Sequence, residues 1–206
     1  MALGRAADYL QAQPGANVLI IAVELPSLTF QRKDISQANL ISSILFGDGA
    51  AAVVVTGKPA PGPKILGSET YTFPDSLGAM GFDLRDSGFH ILLAKDVPEM
   101  IGEKIGGLVQ DFLDRQGRKR EEIKGWILHP GGARLLGNVE KELGLCKCDT
   151  QPSWDILANV GNLSSATILF ILHEWLYKRP LQTGEYAIAA AFGPGFSAEF
   201  LLLQWN

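Results

Sequence analysis

Two periods of apolar residues alternate along this chain, and together they predict its elements. Leu3, Ala6, Ala7 and Leu10 recur at helical spacing, and Pro14-Gly15 closes the helix they define. Residues 17–23 form a nearly continuous apolar run, the pattern of a strand covered on both faces. Residues 40–45 read as a short helix, Phe46-Gly47-Asp48-Gly49 as a turn, and residues 50–55 as a second strand of the buried kind. Residues 57–64 then interrupt the pattern with Pro59, Pro61 and Pro63, and the main boundary is expected there.

A second cycle follows. Strands are predicted at residues 65–72 and 89–93. A helix is predicted over 97–116, with Val97, Ile101, Ile105, Leu108 and Phe112 facing inward. A strand at 125–128 leads to a helix at 134–143, and a strongly apolar helix covers 164–177 through Ile168, Leu169, Ile171, Leu172 and Trp175. Strands at 185–192 and 198–204 flank Gly193-Pro194-Gly195. Strands alternating with helices predict a layered α/β fold.

Composition narrows the function without naming it. The 206 residues are 47% apolar and 19% charged, enough for a substantial core, and the net charge of -4 gives no electrostatic reason to bind nucleic acid. The basic cluster Arg115, Arg118, Lys119 and Arg120 runs straight into Glu121 and Glu122 and reads as a solvated loop. No apolar run is long enough to cross a bilayer, so no membrane partner is expected. Cys146 and Cys148 are too close for an ordinary structural staple and read as packing or surface residues. His90, His129 and His173 all lie far from them in sequence, so no metal site is expected and a reducing, cytoplasmic setting fits. His90 and His173 read as ordinary strand and helix residues.

The chemistry is concentrated in two short runs. His129 follows the strand at 125–128 and precedes Pro130-Gly131-Gly132. Asn162 sits between Gly161 and the helix expected from Ser164. Imidazole exchanges a proton near neutral pH, and an amide donates hydrogen bonds at any pH. Strand-to-helix loops are where α/β proteins collect their sites, so the two side chains could polarise one carbonyl oxygen as an oxyanion hole. Taken singly, His129 is equally a structural histidine and Asn162 a helix cap, a role that Ser164 fills as well.

Four runs carry more than spacing. Leu45-Phe46-Gly47-Asp48-Gly49-Ala50-Ala51-Ala52, His129-Pro130-Gly131-Gly132, Gly161-Asn162-Leu163-Ser164-Ser165-Ala166 and Ala191-Phe192-Gly193-Pro194-Gly195-Phe196 occur in this order. In this the chain resembles the chalcone and stilbene synthase-like type III polyketide synthases of the thiolase superfamily. The Gly-Pro-Gly and His-Pro-Gly-Gly runs favour that family over ketoacyl-carrier-protein synthase III-like condensing enzymes, which share the His/Asn logic. The resemblance implies a thiolase-like α/β/α/β/α fold. Residues 1–57 would be the end of its N-terminal half and residues 58–206 its complete C-terminal half.

It also implies an acyltransferase that condenses malonyl-CoA, with decarboxylation, onto an acyl-CoA starter through a Cys-His-Asn triad. His129 and Asn162 match the histidine and asparagine, and His129 as imidazolium would lower the pKa of the thiol. The family's cysteine would fall a few residues before Met1, so the chain is expected to lack the part that carries the nucleophile. Phe46 matches an aromatic that gates the cavity, and Ile91 stands near a second such position. Thr29, Met80, Phe82, Ser164, Gly193, Pro194 and Gly195 match positions around the cavity, and Pro26 replaces a polar one. Loss of an aromatic and of a polar group suggests an apolar pocket and an aliphatic acyl starter. Arg134, in the first turn after His-Pro-Gly-Gly, is as well placed for a CoA phosphate as for plain exposure. Asp48 is read as bracing its glycine turn.

No cofactor is implied beyond the CoA thioesters that are substrates, and a homodimer is implied by the family. A different reading remains open: a non-catalytic remnant, or a subunit completed by a partner.

Overall fold

A computed structural model describes residues 1–206. Its helices are α1 (Ala2–Ala12), α2 (Gln37–Leu45), α3 (Val97–Arg115), α4 (Ala133–Leu143), α5 (Gln151–Val160) and α6 (Thr167–Tyr177). Its strands are β1 (Asn17–Glu24), β2 (Gly49–Thr56), β3 (Lys64–Thr72), β4 (Met80–Arg85), β5 (Gly88–Leu93), β6 (Ile123–Leu128), β7 (Tyr186–Gly193) and β8 (Ser197–Gln204).

The sheet that matters most has the order β3-β8-β7-β6, antiparallel except for the parallel pair β6 and β7. A parallel pair needs a crossover, and here α4, α5 and α6 make it. Side chains alternate across β7. Ile188 and Ala190 join Ile101, Ile105, Phe112 and Leu136 of α3 and α4 in one core, whereas Ala187 and Ala189 join Ile156, Ile171 and Trp175 of α5 and α6 in another. The sheet is therefore covered on both sides, and β6 and β7 are accordingly apolar at nearly every position. α3 buries Val97, Ile101, Ile105, Val109 and Phe112, a stripe at spacings of three and four, while Pro98 sits in its first turn where no N–H is needed. α4 ends on Gly144, whose φ of 55° closes the helix in the left-handed conformation.

Beyond α1 and α6 lies a second, two-stranded antiparallel sheet of β1 and β2. The layer order is thus α/β/α/β. Here the structure corrects the sequence reading. β1 and β2 were expected to be covered on both faces, but their residues alternate between half-buried and exposed. Leu19, Ile21, Val23 and Val54 are 59%, 64%, 58% and 62% exposed on one face, because no element of the chain packs over it.

Other departures are local. β4 was not foreseen; it pairs with β5 as a hairpin over the Asp86-Ser87 turn, after which Gly88 opens β5 with a φ of 110°. α5 was not foreseen either. Cys146 and Cys148 lie exposed on the α4–α5 loop as expected of surface residues, but they are joined by a disulfide across Lys147 rather than free. The basic cluster is less solvated than its composition suggested. Arg115 pairs with Glu69 at 2.5 Å, Arg118 lies 4.2 Å over the Tyr186 ring, and Arg120 lies 5.8 Å over Trp126.

Candidate active site

Three chain ends converge beside the main sheet: the end of β6, the end of α5 and the end of α2. His129 continues the β6 ladder by one residue, its N–H donating to Ala190 O at 2.8 Å. Ser153 of α5 donates its hydroxyl to Leu128 O at 2.7 Å and ties α5 to that strand end. Gly131 then turns the chain with φ 61° before α4 begins. Asn162 follows Gly161, whose φ is 78° and whose added Cβ would stand 2.8 Å from Leu45 O; only glycine meets both conditions. The Asn162 N–H donates to Leu45 O at 2.9 Å, and Gly47 N–H donates to Asn162 O at 3.0 Å, so Phe46 and Asn162 pair like residues of two parallel strands.

The Asn162 side chain is fixed from both ends. Its Nδ2 donates to Gly131 O at 2.9 Å, and its Oδ1 accepts from Ser164 N–H at 2.8 Å. The side chain thus closes a local turn rather than capping α6, whose N-terminus has no side-chain cap, and it keeps a free donor: an amide nitrogen carries two hydrogens, and Gly131 takes one. Ser164 adopts a φ of 50°, unusual outside glycine, directly beside this contact.

His129 is 8% exposed and Asn162 3%. Burial alone pushes the His129 imidazole down to about 4, with no neighbouring charge to offset it. The expectation of proton exchange near neutral pH, and of an imidazolium that would lower a thiol pKa, is corrected on this point. At pH 7 the ring is neutral, with one N–H to donate and one nitrogen to accept.

Both side chains line a cavity of about 1070 Å³. Phe46, Met80, Ser164, Gly193, Pro194 and Arg134 line it too. Four expected residues do not. Phe82 and Ile91 are paired across the β4–β5 hairpin one pleat beyond Met80 and Leu93, where the cavity ends, and Phe82 is 52% exposed. Thr29 turns its hydroxyl onto Pro26 O at 2.9 Å, and Gly195 lies just past the part of the Gly-Pro-Gly loop that touches the cavity. Pro26 is not in the wall either, so the apolar character comes from residues that the sequence did not assign to a cavity: Ile41 and Ile44 of α2, Leu157 of α5, Ile168 and Leu169 of α6. The i and i+3 spacing of Ile41 and Ile44 was the available signal. Glu199, also missed, lines the wall with Oε2 3.1 Å from the Met1 amino group.

Arg134 reaches the cavity mouth but is paired with Glu99 at 2.5 Å. Asp48 does not brace its own turn. It accepts from Ser27 N–H at 2.9 Å and from the Ser27 hydroxyl at 2.6 Å, which holds its carboxyl below the usual range. His90 accepts or donates with Ser87 at 2.7 Å and His173 packs against Tyr177; neither lines the cavity. Cys146, Cys148 and Asp149 have ligand atoms within 4.8 Å of one another, but the two sulfurs bond each other.

A mixed sheet between helical layers, with a second sheet beyond, is the thiolase-like α/β arrangement, and the comparisons with known proteins agree. Residues 65–205 match the C-terminal domain of chalcone and stilbene synthases, and residues 1–74 match 3-oxoacyl-[acyl-carrier-protein] synthase III. The chain belongs to the chalcone and stilbene synthase family, the type III polyketide synthases. It is 37% identical over 212 residues to a putative chalcone synthase of Bacillus subtilis (strain 168), covering 99% of this chain and 58% of that protein. It is 39% identical over 208 residues to the 1,3,6,8-tetrahydroxynaphthalene synthase of Streptomyces peucetius subsp. caesius, covering 98% of this chain and 55% of that one. The crystal structure of 1,3,6,8-tetrahydroxynaphthalene synthase from Streptomyces coelicolor A3(2) superposes with a TM-score of 0.95 at 32% identity, over 100% of this chain and 59% of that chain. The type III polyketide synthase domain of Steely1 from Dictyostelium superposes at 0.90 with 29% identity, over 99% of this chain and 58% of that one. The chain thus spans somewhat more than half the length of these relatives.

Proposed function

We propose that this chain supplies the decarboxylating half of a type III polyketide synthase site, acting on malonyl-CoA, with His129 and Asn162 as the two donors to the thioester oxygen. The observation that carries the reading is their joint place in the wall of one apolar cavity, each fixed by main-chain hydrogen bonds. As malonyl carboxylate leaves as CO2, charge moves onto the thioester oxygen, and the His129 N–H and the remaining Asn162 hydrogen stabilise that enolate. Two fixed donors in a water-poor site are worth about 3 kcal/mol each in comparable oxyanion holes.

In the complete reaction the enolate carbon attacks an acyl group held on a thiol, forming the new C–C bond and expelling the thiolate. Neither Cys146 nor Cys148 lines the cavity, so that thiol comes from outside residues 1–206. The neutral His129 ring offers that thiol an unprotonated nitrogen to take its proton as the nucleophile is activated. Ile41, Ile44, Leu157, Ile168 and Leu169 favour an aliphatic acyl starter.

The test is conversion of malonyl-CoA to acetyl-CoA by the purified chain, followed by liquid chromatography and mass spectrometry. Release should fall by at least about tenfold in His129→Ala and in Asn162→Ala. Equal rates in both variants and the unsubstituted protein would refute the assignment. A second reading rests on the bare outer face of β1 and β2: the chain is a subunit that a partner completes. Decarboxylation appearing only on addition of a partner that carries the thiol would favour it.

A further inference from the structure

Away from the cavity, the α4–α5 loop brings together two exposed cysteines, a carboxylate and two cations that the condensing chemistry does not use. We propose that Cys146 and Cys148 form an exchange centre for low-molecular-weight disulfides, with Cys148 the attacking sulfur and Cys146 the resolving one.

The asymmetry comes from Asp149. Its Oδ2 accepts the Cys146 N–H at 2.8 Å and stands 3.2 Å from Cys146 Sγ, and its own N–H donates to Cys146 O at 3.0 Å. Main-chain bonds hold this turn, so the carboxylate stays in place when the disulfide is opened. A negative charge that close disfavours a thiolate on Cys146 and offers its S–H an acceptor. Cys148 has no such carboxylate and lies nearer a cation: Arg179 Nη1 donates to the Cys148 carbonyl oxygen at 3.5 Å, whereas Lys147 stands between the two cysteines and turns its ammonium to Trp154. Cations near a thiol favour its thiolate.

The exchange balances in two steps. Cys148 thiolate attacks one sulfur of a small disulfide, forming a mixed disulfide and releasing one small thiolate. Cys146 then attacks Cys148 Sγ, its proton passing by way of Asp149 to water, and the second small thiolate leaves. The product is the disulfide present in the structure. Two protein thiols are oxidised and one small disulfide is reduced to two thiols. The loop stays poised between steps because Lys147 lies 4.7 Å over Trp154, whose indole N–H donates to Glu140 of α4 at 2.6 Å.

The experiment mixes reduced protein with uncharged 2-hydroxyethyl disulfide at pH 7 and follows intact mass. The unsubstituted protein should end as the internal disulfide with no lasting adduct, and Cys146→Ser should accumulate the mixed disulfide on Cys148. Cys148→Ser should react at least about threefold more slowly than Cys146→Ser, the net of tenfold less thiolate per pKa unit and the greater nucleophilicity of a more basic sulfur. Adding Asp149→Asn to Cys148→Ser should restore the rate to within about twofold of Cys146→Ser. Iodoacetamide labelling of the reduced, unsubstituted protein gives the same order without any substitution, since trypsin cleaves after Lys147 and separates the two cysteines; Cys148 should label first. A lasting adduct on the unsubstituted protein, equal rates for the two single variants, no effect of Asp149→Asn, or Cys146 labelling first would each overturn the proposal.

Discussion

Acidification should destabilise this protein through His129, and the size of the effect follows from its burial. The ring sits at about 4 in the folded chain against 6.5 when exposed, with desolvation as the cause. Between those values the unfolded chain binds a proton that the folded chain refuses. The stability is therefore fully present above pH 6.5 and is lost as pH falls towards 4. At 1.36 kcal/mol per pKa unit the whole loss is about 3 kcal/mol, and about 2 kcal/mol of it falls between pH 7 and pH 5. Asp34, Asp48 and Glu122 also have lowered carboxyl values from hydrogen bonds. Their contributions are present above their ordinary values of 3.8, 3.8 and 4.5 and are lost below them, so they leave the window above pH 5 largely to the imidazole. The assay is urea unfolding at pH 7, 6 and 5, for the unsubstituted protein and for His129→Gln, which has no titrating ring. The unsubstituted protein should lose about 2 kcal/mol over that range, and the variant should be flat to within about 0.5 kcal/mol. Parallel loss in both proteins would show that the imidazole is not held neutral by its surroundings.

Three further outcomes test the packing around the site. Gly161→Ala places a Cβ 2.8 Å from Leu45 O at a φ of 78° and should cost about 1–3 kcal/mol in thermal unfolding, whereas the same change at half-buried Gly137 of α4, with open space beside its Cα, should be neutral or better. Ser153→Ala leaves the buried Leu128 O without its partner at 2.7 Å and should cost about 1–3 kcal/mol in urea unfolding. Leu19→Lys, on the bare face of β1 and outside the cavity wall, should change stability by no more than about 0.5 kcal/mol and should reduce binding of an apolar fluorescent dye.

Most of the fold was legible because each element satisfies its own period. α3 shows a stripe of five buried positions, and β6 and β7 show the nearly continuous apolar run of strands covered on both sides, broken only at Lys124. The same run misled at β1, because periodicity reports what a strand could bury and says nothing of whether a covering element is present. α5 was missed since Gln151-Pro152-Ser153-Trp154-Asp155 has no helical apolar stripe, although Pro152 in a first turn was an available sign. β4 was missed because Phe82 and Leu84 face outward on a short hairpin. In the site, His129 and Asn162 could be named from their runs, while the cavity wall could not. Ile91 and Phe82 fall one pleat beyond it, and the shift of His129 to about 4 depends on packing from β7, α4 and α5 that no local pattern encodes.

The donor pair and the N-terminal side of the cavity wall are held by different contacts. The hydrogen bonds that fix His129 and Asn162 run to Leu45, Gly47, Gly131, Ser164, Thr167 and Ala190, between the end of α2 and β7. The wall, by contrast, takes Met1 and Leu3 from α1, Ile20 from β1, and Ile41 and Ile44 from α2. Of these, β1 also carries the uncovered face of its sheet, where packing is thinnest and local opening costs least. Polarising a thioester oxygen needs only the donors, whereas selecting an acyl chain needs the wall. If the proposed function holds, a cover over the β1–β2 face should tighten the choice of acyl group more than it alters the enolate step, and the malonyl-CoA assay on the chain alone reads the donors with least interference from the wall.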